Sequence, residues 1–235
     1  MTHPLRAIIA AVAARRAERP VLIFDLDGTL YDNRPRTLRI AHAYAAGLGE
    51  GYAQDAHTIL GLSAHDLHYR LDDTLRAHGV SEEVVKGTTA RWFARFFTDQ
   101  ACADDVPVRG SVRFVRACYE LGATIVYLTG RDVPNMLVGT VRTLRDDGFP
   151  VGVPRVELVL KPRFEDDDTT FKIAVLDAMA ELGTVLATFE NEPGNANMFL
   201  TRWPKATTVL VETLHAPGAP ESFPEVVKVA DFSFE

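Results

Sequence analysis

Two aspartates separated by a single residue stand out in this sequence because they directly follow an apolar stretch. Residues 21–24 read Val-Leu-Ile-Phe, and Asp25 and Asp27 come next, followed by Gly28 and Thr29. A short apolar stretch containing β-branched residues predicts a buried strand. Carboxylates this close repel one another and need a cation or a proton to share the site. The pair therefore predicts chemistry at the carboxyl end of this strand, where open α/β sheets bind their ligands.

Polar segments also follow three later stretches that are typical of buried strands. The predicted strands are Thr124–Leu128, Val156–Leu160 and Thr184–Phe189. The polar segments that follow them are Thr129–Asp132, Lys161–Arg163 and Glu190–Glu192. The βα loops of a parallel sheet all lie at one edge of the sheet. We therefore expect these segments to meet the two aspartates there.

Strands and helices alternate through the second half of the chain, which predicts βα units on a parallel sheet. The predicted helices are Ser111–Leu121, Pro134–Asp147, Thr169–Leu182 and Gly194–Arg202, and the last strands are Ala206–Val211 and an edge strand at Val226–Val229. The expected fold class is α/β, with a Rossmann-like parallel sheet core and helices on both faces of the sheet.

Residues 33–105 have little strand character and predict an inserted all-α cap subdomain. The predicted helices are Thr37–Leu48, Asp55–Leu60, Ala64–Ala77, Ser81–Lys86 and Thr88–Phe97. The core domain is then expected to comprise residues 1–32 and 106–235.

Two groups of side chains in this insertion have alternative interpretations. The aromatic residues are Trp92, Phe93, Phe96 and Phe97, and the histidines are His57, His65, His68 and His78. Helical spacing favours packing within the insertion over an aromatic substrate box. No set of acidic or cysteine ligands accompanies the histidines, so we expect ordinary surface histidines.

Composition and charge exclude some classes of function. The chain has 235 residues and a formal net charge of -7, which disfavours a nucleic acid as the main partner. We expect no membrane span, and the amphipathic spacing of Pro4–Arg19 favours a helix over a targeting peptide. Cys102 and Cys118 lack metal-ligand spacing and predict reduced thiols in a cytoplasmic protein, with a disulfide as the alternative. The sequence does not predict an oligomeric state.

The two polar motifs resemble those of a known superfamily. Residues 25–30, Asp-Leu-Asp-Gly-Thr-Leu, resemble motif I of the haloacid dehalogenase-like phosphohydrolases, and residues 127–132, Tyr-Leu-Thr-Gly-Arg-Asp, resemble motif II. The order and spacing are similar from Pro20 to about Val211. The resemblance implies that Asp25 is a nucleophile that forms an aspartyl-phosphate, and that Asp27 is a general acid and base. Superfamily members that act on carbon–halogen bonds typically lack the second aspartate, so its presence favours phosphate chemistry.

The same resemblance implies the remaining parts of a phosphatase site. Thr129 would donate its hydroxyl to a phosphoryl oxygen, with Gly28, Gly130 and Arg131 beside the substrate. Mg²⁺ would be held by Asp25, the Asp27 backbone carbonyl, Glu190 and Asn191. The substrate would be a small phosphorylated metabolite, selected by a helical cap of the C1 type.

The resemblance leaves alternatives open for the lysine, for the segment Glu190–Glu192 and for the function. The motif III lysine is Lys172, in the helix after the third strand, or Lys161, at the end of that strand. Motif IV reads Glu190-Asn191-Glu192 where the superfamily usually has aspartates, and Asn191 and Glu192 alternatively cap the next helix. The function is accordingly a Mg²⁺-dependent phosphatase, a phosphomutase of the same superfamily, or a catalytically weak binding or regulatory module. The segment Tyr31–Arg34 is a further possible substrate contact.

Overall fold

A six-stranded parallel sheet forms the centre of the protein in a computed structural model that describes residues 3–234. The bounds of its strands are β1 Pro20–Phe24, β4 Thr124–Asp132, β5 Val156–Lys161, β6 Thr184–Glu190, β7 Thr207–Val211 and β8 Val227–Val229. These strands lie in the order β5-β4-β1-β6-β7-β8. The predicted parallel sheet is therefore confirmed, and β8 is the expected edge strand.

Helices cover both faces of the sheet, as the alternating pattern predicts. The helices outside the insertion are α1 Pro4–Ala14, α6 Ser111–Glu120, α7 Val133–Asp146, α8 Asp168–Glu181 and α9 Pro193–Arg202. Leu22 and Phe24 of β1 pack with α1 and α6, whereas Val21 and Ile23 pack with α8 and α9. All four side chains are fully buried. Burial on both faces explains why β1 is apolar throughout instead of alternating with polar residues.

The segment between residues 33 and 105, here called the helical insertion, has its own apolar core. Its helices are α2 Arg34–Ala45, α3 Ala53–Leu60, α4 Leu71–Ala77 and α5 Glu82–Phe96. Ala41, Ile59, Leu75 and Val84 are buried in one cluster with neighbouring apolar side chains of these helices. The insertion begins after β2 (Tyr31–Asp32) and ends before β3 (Val106–Pro107), and these two short strands pair antiparallel. The chain thus leaves and re-enters the core at a single point.

The helix predicted over Ala64–Ala77 is only partly present, because the chain is not helical in its middle. A short 3₁₀ turn spans Ala64–Asp66, and α4 begins only at Leu71. Asp66 accepts hydrogen bonds from the backbone and hydroxyl of Ser63, and His68 donates its backbone N–H to the Thr74 hydroxyl at 2.8 Å. These side chains satisfy backbone groups locally and so compete with a continuous helix.

The two helices predicted over Ser81–Lys86 and Thr88–Phe97 are instead one continuous helix, α5. Gly87 does not interrupt it, although glycine is an unfavourable residue in a helix interior. A Cβ at this position would overlap the Tyr44 hydroxyl oxygen. Gly87 therefore allows α2 and α5 to pack closely, and tertiary packing outweighs its low helix propensity.

The structure also shows the N-terminal helix and the state of the two cysteines. The predicted N-terminal helix is present as α1, with Leu5, Ile8 and Val12 buried against the core. Cys102 and Cys118 are free, buried thiols, and burial raises the pKa of Cys118 to about 12. None of the helices in residues 3–234 is long and apolar enough to cross a membrane.

Candidate active site

The turn after β1 holds the two aspartates in a fixed backbone. Asp25 continues the sheet by donating its backbone N–H to the Phe189 carbonyl of β6 at 3.0 Å. Gly28 has φ +79°, and its backbone N–H donates to the Tyr31 carbonyl at 2.8 Å. A Cβ on Gly28 would overlap Nδ2 of Asn191. Glycine is required here both for the left-handed backbone and for the close approach of Asn191.

A buried lysine lies between two buried carboxylates at the end of β1. Lys172 Nζ donates to Asp25 Oδ1 at 2.9 Å and also to Glu190 Oε1. Burial raises the pKa of Asp25 to about 7; Lys172 opposes this shift and Glu190 adds to it. Burial disfavours the charged form of Lys172, but Asp25 and Glu190 outweigh that effect and raise its pKa above its ordinary value. Asp25, Glu190 and Lys172 together supply two carboxyl groups and one ammonium group, so one additional positive charge would balance them.

The structure distinguishes the two lysines between which the sequence left a choice. Lys161 Nζ donates to the backbone carbonyls of Phe164 and Asp166 and pairs with Asp168 at 2.7 Å. It therefore stabilises the loop after β5. Lys172, near the start of α8, is the lysine that contacts Asp25.

Asp27 is held by two arginines in a network of four charged residues. Arg131 donates to both carboxylate oxygens of Asp27, at 2.7 and 2.8 Å, and Arg36 donates to Oδ1 at 3.2 Å. Both guanidinium groups also bind the buried Asp105, and Arg131 donates to the Thr140 hydroxyl. Burial by itself raises the pKa of Asp27, but the two arginines outweigh it and hold the pKa well below its ordinary value. Asp27 is therefore oriented and ionised.

This network assigns Arg131 a positioning task. Its side chain is almost fully buried, and Asp27, Asp105 and Thr140 occupy its nitrogens. The predicted contact of Arg131 with a substrate phosphate stays a prediction. Sequence reasoning missed Arg36 and Asp105, because no local pattern pairs two residues at opposite ends of the insertion.

Thr129 and Gly130 lie beside the aspartates at the end of β4, as expected. The Thr129 hydroxyl oxygen is buried and accepts a hydrogen bond from the Arg131 backbone N–H at 3.2 Å. Its own proton remains available to a ligand. A Cβ on Gly130 would overlap Asp168 Oδ2, so a larger residue would require the Asp168 side chain to move.

The segment Glu190–Glu192 places two carboxylates and one amide at the cavity. Both oxygens of Glu190 have donors, namely Lys172, the Asn195 amide and the backbone N–H groups of Asn191 and Glu192. Asn191 donates its amide to the Leu214 carbonyl at 2.8 Å, which turns its Oδ1 towards Thr29. The alternative in which the Glu192 side chain caps α9 is not seen, because it makes no capping hydrogen bond.

The oxygen atoms near Asp25 fit a hard divalent cation. The Thr29 hydroxyl lies 3.1 Å from Asp25 Oδ2 and 3.3 Å from Asn191 Oδ1, and its one proton serves only one of these acceptors. The carboxylate oxygen and the amide oxygen thus lie close together with only one hydrogen-bond donor between them. Such a pair of oxygen atoms suits Mg²⁺. Asp25 and Asn191 are the side chains placed to bind it, and a role for Glu190 as ligand stays a prediction. No group of three or more His, Cys, Asp or Glu residues in the described chain is arranged to hold a metal.

A cavity of about 340 Å³ lies above these residues, between the core and the helical insertion. Asp25, Asp27, Thr129 and Lys172 line its floor. The opposite wall includes Trp92, Phe96 and Phe97 of the insertion, and also Leu67, His68 and Tyr69 from the extended stretch where a helix was expected. The aromatic residues pack against each other, as predicted, and three of them also face the cavity. Asn33 and Arg34 also line it.

Comparisons with known proteins find similarity at the level of structure. No family model and no curated protein matches the sequence. Protein tyrosine kinase A of Mycobacterium tuberculosis is 18% identical over 91% of this chain and 94% of its own, with a TM-score of 0.54. A protein of Burkholderia xenovorans LB400, classed as a haloacid dehalogenase-like hydrolase, is 18% identical over 92% and 94%, with a TM-score of 0.53. A Clostridium difficile protein classed as a phosphatase is 14% identical over 89% and 93%, with a TM-score of 0.50.

Proposed function

We propose that this chain, which has the fold of the haloacid dehalogenase-like hydrolases, is a Mg²⁺-dependent phosphatase that acts through an aspartyl-phosphate. One observation carries the proposal. Asp25 is held against Lys172 at the floor of a cavity, and a second oriented carboxylate, Asp27, lies two residues away. A nucleophile, a positive charge beside it and a separate proton-transfer group are the parts that covalent phosphoryl transfer requires.

The residues divide the proposed reaction between two steps. In the first step an Asp25 oxygen attacks phosphorus and the bond to the leaving oxygen breaks. Because Asp27 is ionised, the leaving oxygen takes its proton from solvent water. In the second step a water molecule attacks the aspartyl-phosphate, loses a proton to Asp27, and releases Asp25 and inorganic phosphate. Lys172 offsets the negative charge that gathers on Asp25 and the phosphoryl group, and the Thr129 hydroxyl donates to a phosphoryl oxygen.

The arginine clamp on Asp27 suits the second step directly. Arg131 and Arg36 keep Asp27 ionised and pointing in one direction, and an ionised carboxylate is the form that accepts a proton from water. Mg²⁺ bound by Asp25 and Asn191 would neutralise phosphoryl oxygens and align the phosphate with the nucleophile.

The proposal is tested with an aryl phosphate such as p-nitrophenyl phosphate. We expect hydrolysis that requires Mg²⁺, disappears in Asp25→Asn and persists in Asp177→Asn, which changes an exposed aspartate outside the cavity. Acid quenching during turnover should trap phosphate on the wild-type chain and none on Asp25→Asn. Robust turnover by Asp25→Asn would exclude Asp25 as the nucleophile.

A binding or regulatory module is the second candidate, and the occupied oxygens of Glu190 favour it. A site with one carboxylate ligand and one amide ligand binds Mg²⁺ more weakly than a site with several carboxylates. Titration calorimetry with MgCl₂ distinguishes the candidates, because absence of millimolar binding would favour the module. A phosphomutase is tested separately by incubation with a sugar phosphate, since a mutase returns an isomer and a phosphatase releases inorganic phosphate.

A further inference from the structure

The cavity lining includes an apolar part, which comes largely from the helical insertion. Its apolar side chains are Leu67, Leu71, Trp92, Phe96, Phe97 and Met136. All of these except Met136, which belongs to α7, lie in the insertion. A group attached to a phosphate on the floor would extend towards this wall and be removed from water there. Burial of apolar surface then contributes to binding.

The aromatic part of the wall is held in place by contacts that do not need a ligand. Trp92 donates its indole N–H to the Thr37 hydroxyl at 3.1 Å, and its ring lies 4.6 Å from that of Phe96. The Arg36 guanidinium covers the Phe96 ring at 4.4 Å from the ring centroid, and Phe97 packs 5.0 Å from Phe96. A preformed surface binds without a large ordering cost.

The charges around the cavity disfavour a substrate with a second anionic group. The lining cations each already have a carboxylate partner among the described residues: Asp32 for Arg34, Asp105 for Arg36, Asp27 for Arg131 and Asp25 for Lys172. Glu192 adds a further carboxylate to the lining. A second phosphate or carboxylate would therefore lose its hydration without gaining a free cation.

The volume limits the size of the substrate. About 340 Å³ lies near the lower end of the roughly 300–1,000 Å³ found for small-molecule pockets. Because the phosphate takes up part of this space, the remainder suits a group of about one ring better than a nucleotide.

We propose, on the basis of the phosphatase function above, that the substrate is a phosphomonoester whose leaving group is uncharged and apolar and carries a single ring. Phe97 is the specificity-determining residue that we single out. It lines the cavity at the end of α5 and is not fully buried in the core of the insertion.

The test compares substrates that differ only in the group facing the wall. 2-Phenylethyl phosphate and ethyl phosphate both have alkyl leaving groups, and 2-phosphoglycolate adds a carboxylate. We expect the wild-type kcat/KM to be at least tenfold higher for 2-phenylethyl phosphate than for ethyl phosphate, and lowest for 2-phosphoglycolate. Phe97→Ala should reduce the ratio of kcat/KM for 2-phenylethyl phosphate to kcat/KM for ethyl phosphate by about tenfold. Phe223→Ala is the matched control, because Phe223 is 45% exposed and does not line the cavity. The ratio of the two kcat/KM values should not change in this variant.

A binding measurement separates this inference from the proposed function. 3-Phenylpropylphosphonate and propylphosphonate are not hydrolysed, and we expect the wild-type chain to bind the first at least tenfold more tightly by calorimetry. If the chain binds the phenyl compound more tightly but hydrolyses no phosphate ester, the proposed phosphatase function is wrong and the proposed apolar pocket still stands. The proposed apolar pocket alone would be wrong if hydrolysis depends on Asp25 but shows no preference for the phenyl group. It would also be wrong if Phe97→Ala leaves the ratio of kcat/KM for 2-phenylethyl phosphate and ethyl phosphate unchanged. If Phe97→Ala fails to fold, the wild-type phosphonate comparison decides, and equal binding of the two compounds overturns the inference.

Discussion

Replacing Asp25 by asparagine should stabilise the metal-free protein at neutral pH while abolishing its proposed activity. Asp25 is buried, and it shares Lys172 with Glu190, so that two carboxylates face one ammonium group. The Asp25→Asn substitution would leave one balanced pair. The new amide can accept from Lys172 through its carbonyl oxygen and donate to the Thr29 hydroxyl through its nitrogen, so both hydrogen-bonding positions keep partners.

The expected magnitude follows from the pKa of Asp25, which burial raises from 3.8 to about 7. Between these values the folded chain binds more protons than the unfolded chain, so the free energy of unfolding falls as the pH rises. At 1.36 kcal/mol per pH unit, full ionisation of Asp25 costs about 4 kcal/mol at most. Lys172 has a raised pKa, so its favourable contribution stays in place throughout this range. We expect Asp25→Asn to be more stable than wild type by about 2–4 kcal/mol at pH 8, and by much less at pH 4.

Urea unfolding in EDTA at pH 4, 6 and 8 measures the difference. With m-values of about 1–3 kcal/mol/M, the midpoint should rise by roughly 1–2 M at pH 8. Asp27→Asn is the contrasting variant, because Arg131 and Arg36 stabilise the ionised form of Asp27. Its loss should destabilise the protein by about 3–5 kcal/mol at pH 8. An Asp25→Asn variant that is less stable than wild type, or a difference in stability that does not grow with pH, would show that the buried Asp25 carboxylate does not destabilise the metal-free protein.

Three further substitutions test other parts of the site. Arg131→Lys should lower kcat on the order of tenfold with little change in KM, since a lysine ammonium lacks the planar fork with which Arg131 orients both oxygens of Asp27. Steady-state kinetics with p-nitrophenyl phosphate measures this, and a change in KM alone would contradict it. Gly28→Ala should cost about 1–3 kcal/mol in urea unfolding, because of its left-handed backbone and the contact with Asn191; unchanged stability would contradict the geometry. Asn191→Asp should raise the Mg²⁺ affinity measured by calorimetry about tenfold, because a carboxylate replaces an amide ligand. It should also destabilise the metal-free chain by about 1–3 kcal/mol, since the Leu214 carbonyl loses its hydrogen-bond donor. An unchanged affinity would show that Asn191 does not bind the metal.

The sequence alone determined the sheet and the position of the chemistry. The apolar strands and their spacing were sufficient for this, because burial on both faces imposes a local composition that is visible without coordinates. Asp25, Asp27 and Thr129 could be located in the same way, since they lie at or just beyond the carboxyl ends of the apolar stretches, and parallel strands end at a common edge.

The tertiary structure decided which charged groups meet. Lys161 and Lys172 have similar positions in the pattern of strands and helices, but only Lys172 reaches Asp25. Arg36 and Asp105 are separated by 69 residues, and their contact depends on where the insertion leaves and re-enters the core. The same is true of the cavity wall, which requires an extended stretch at residues 67–70 and a helix that continues through Gly87. Strand formation follows from local burial patterns, whereas ion pairs and cavities depend on packing between segments that are distant in the chain, and no local pattern encodes that packing.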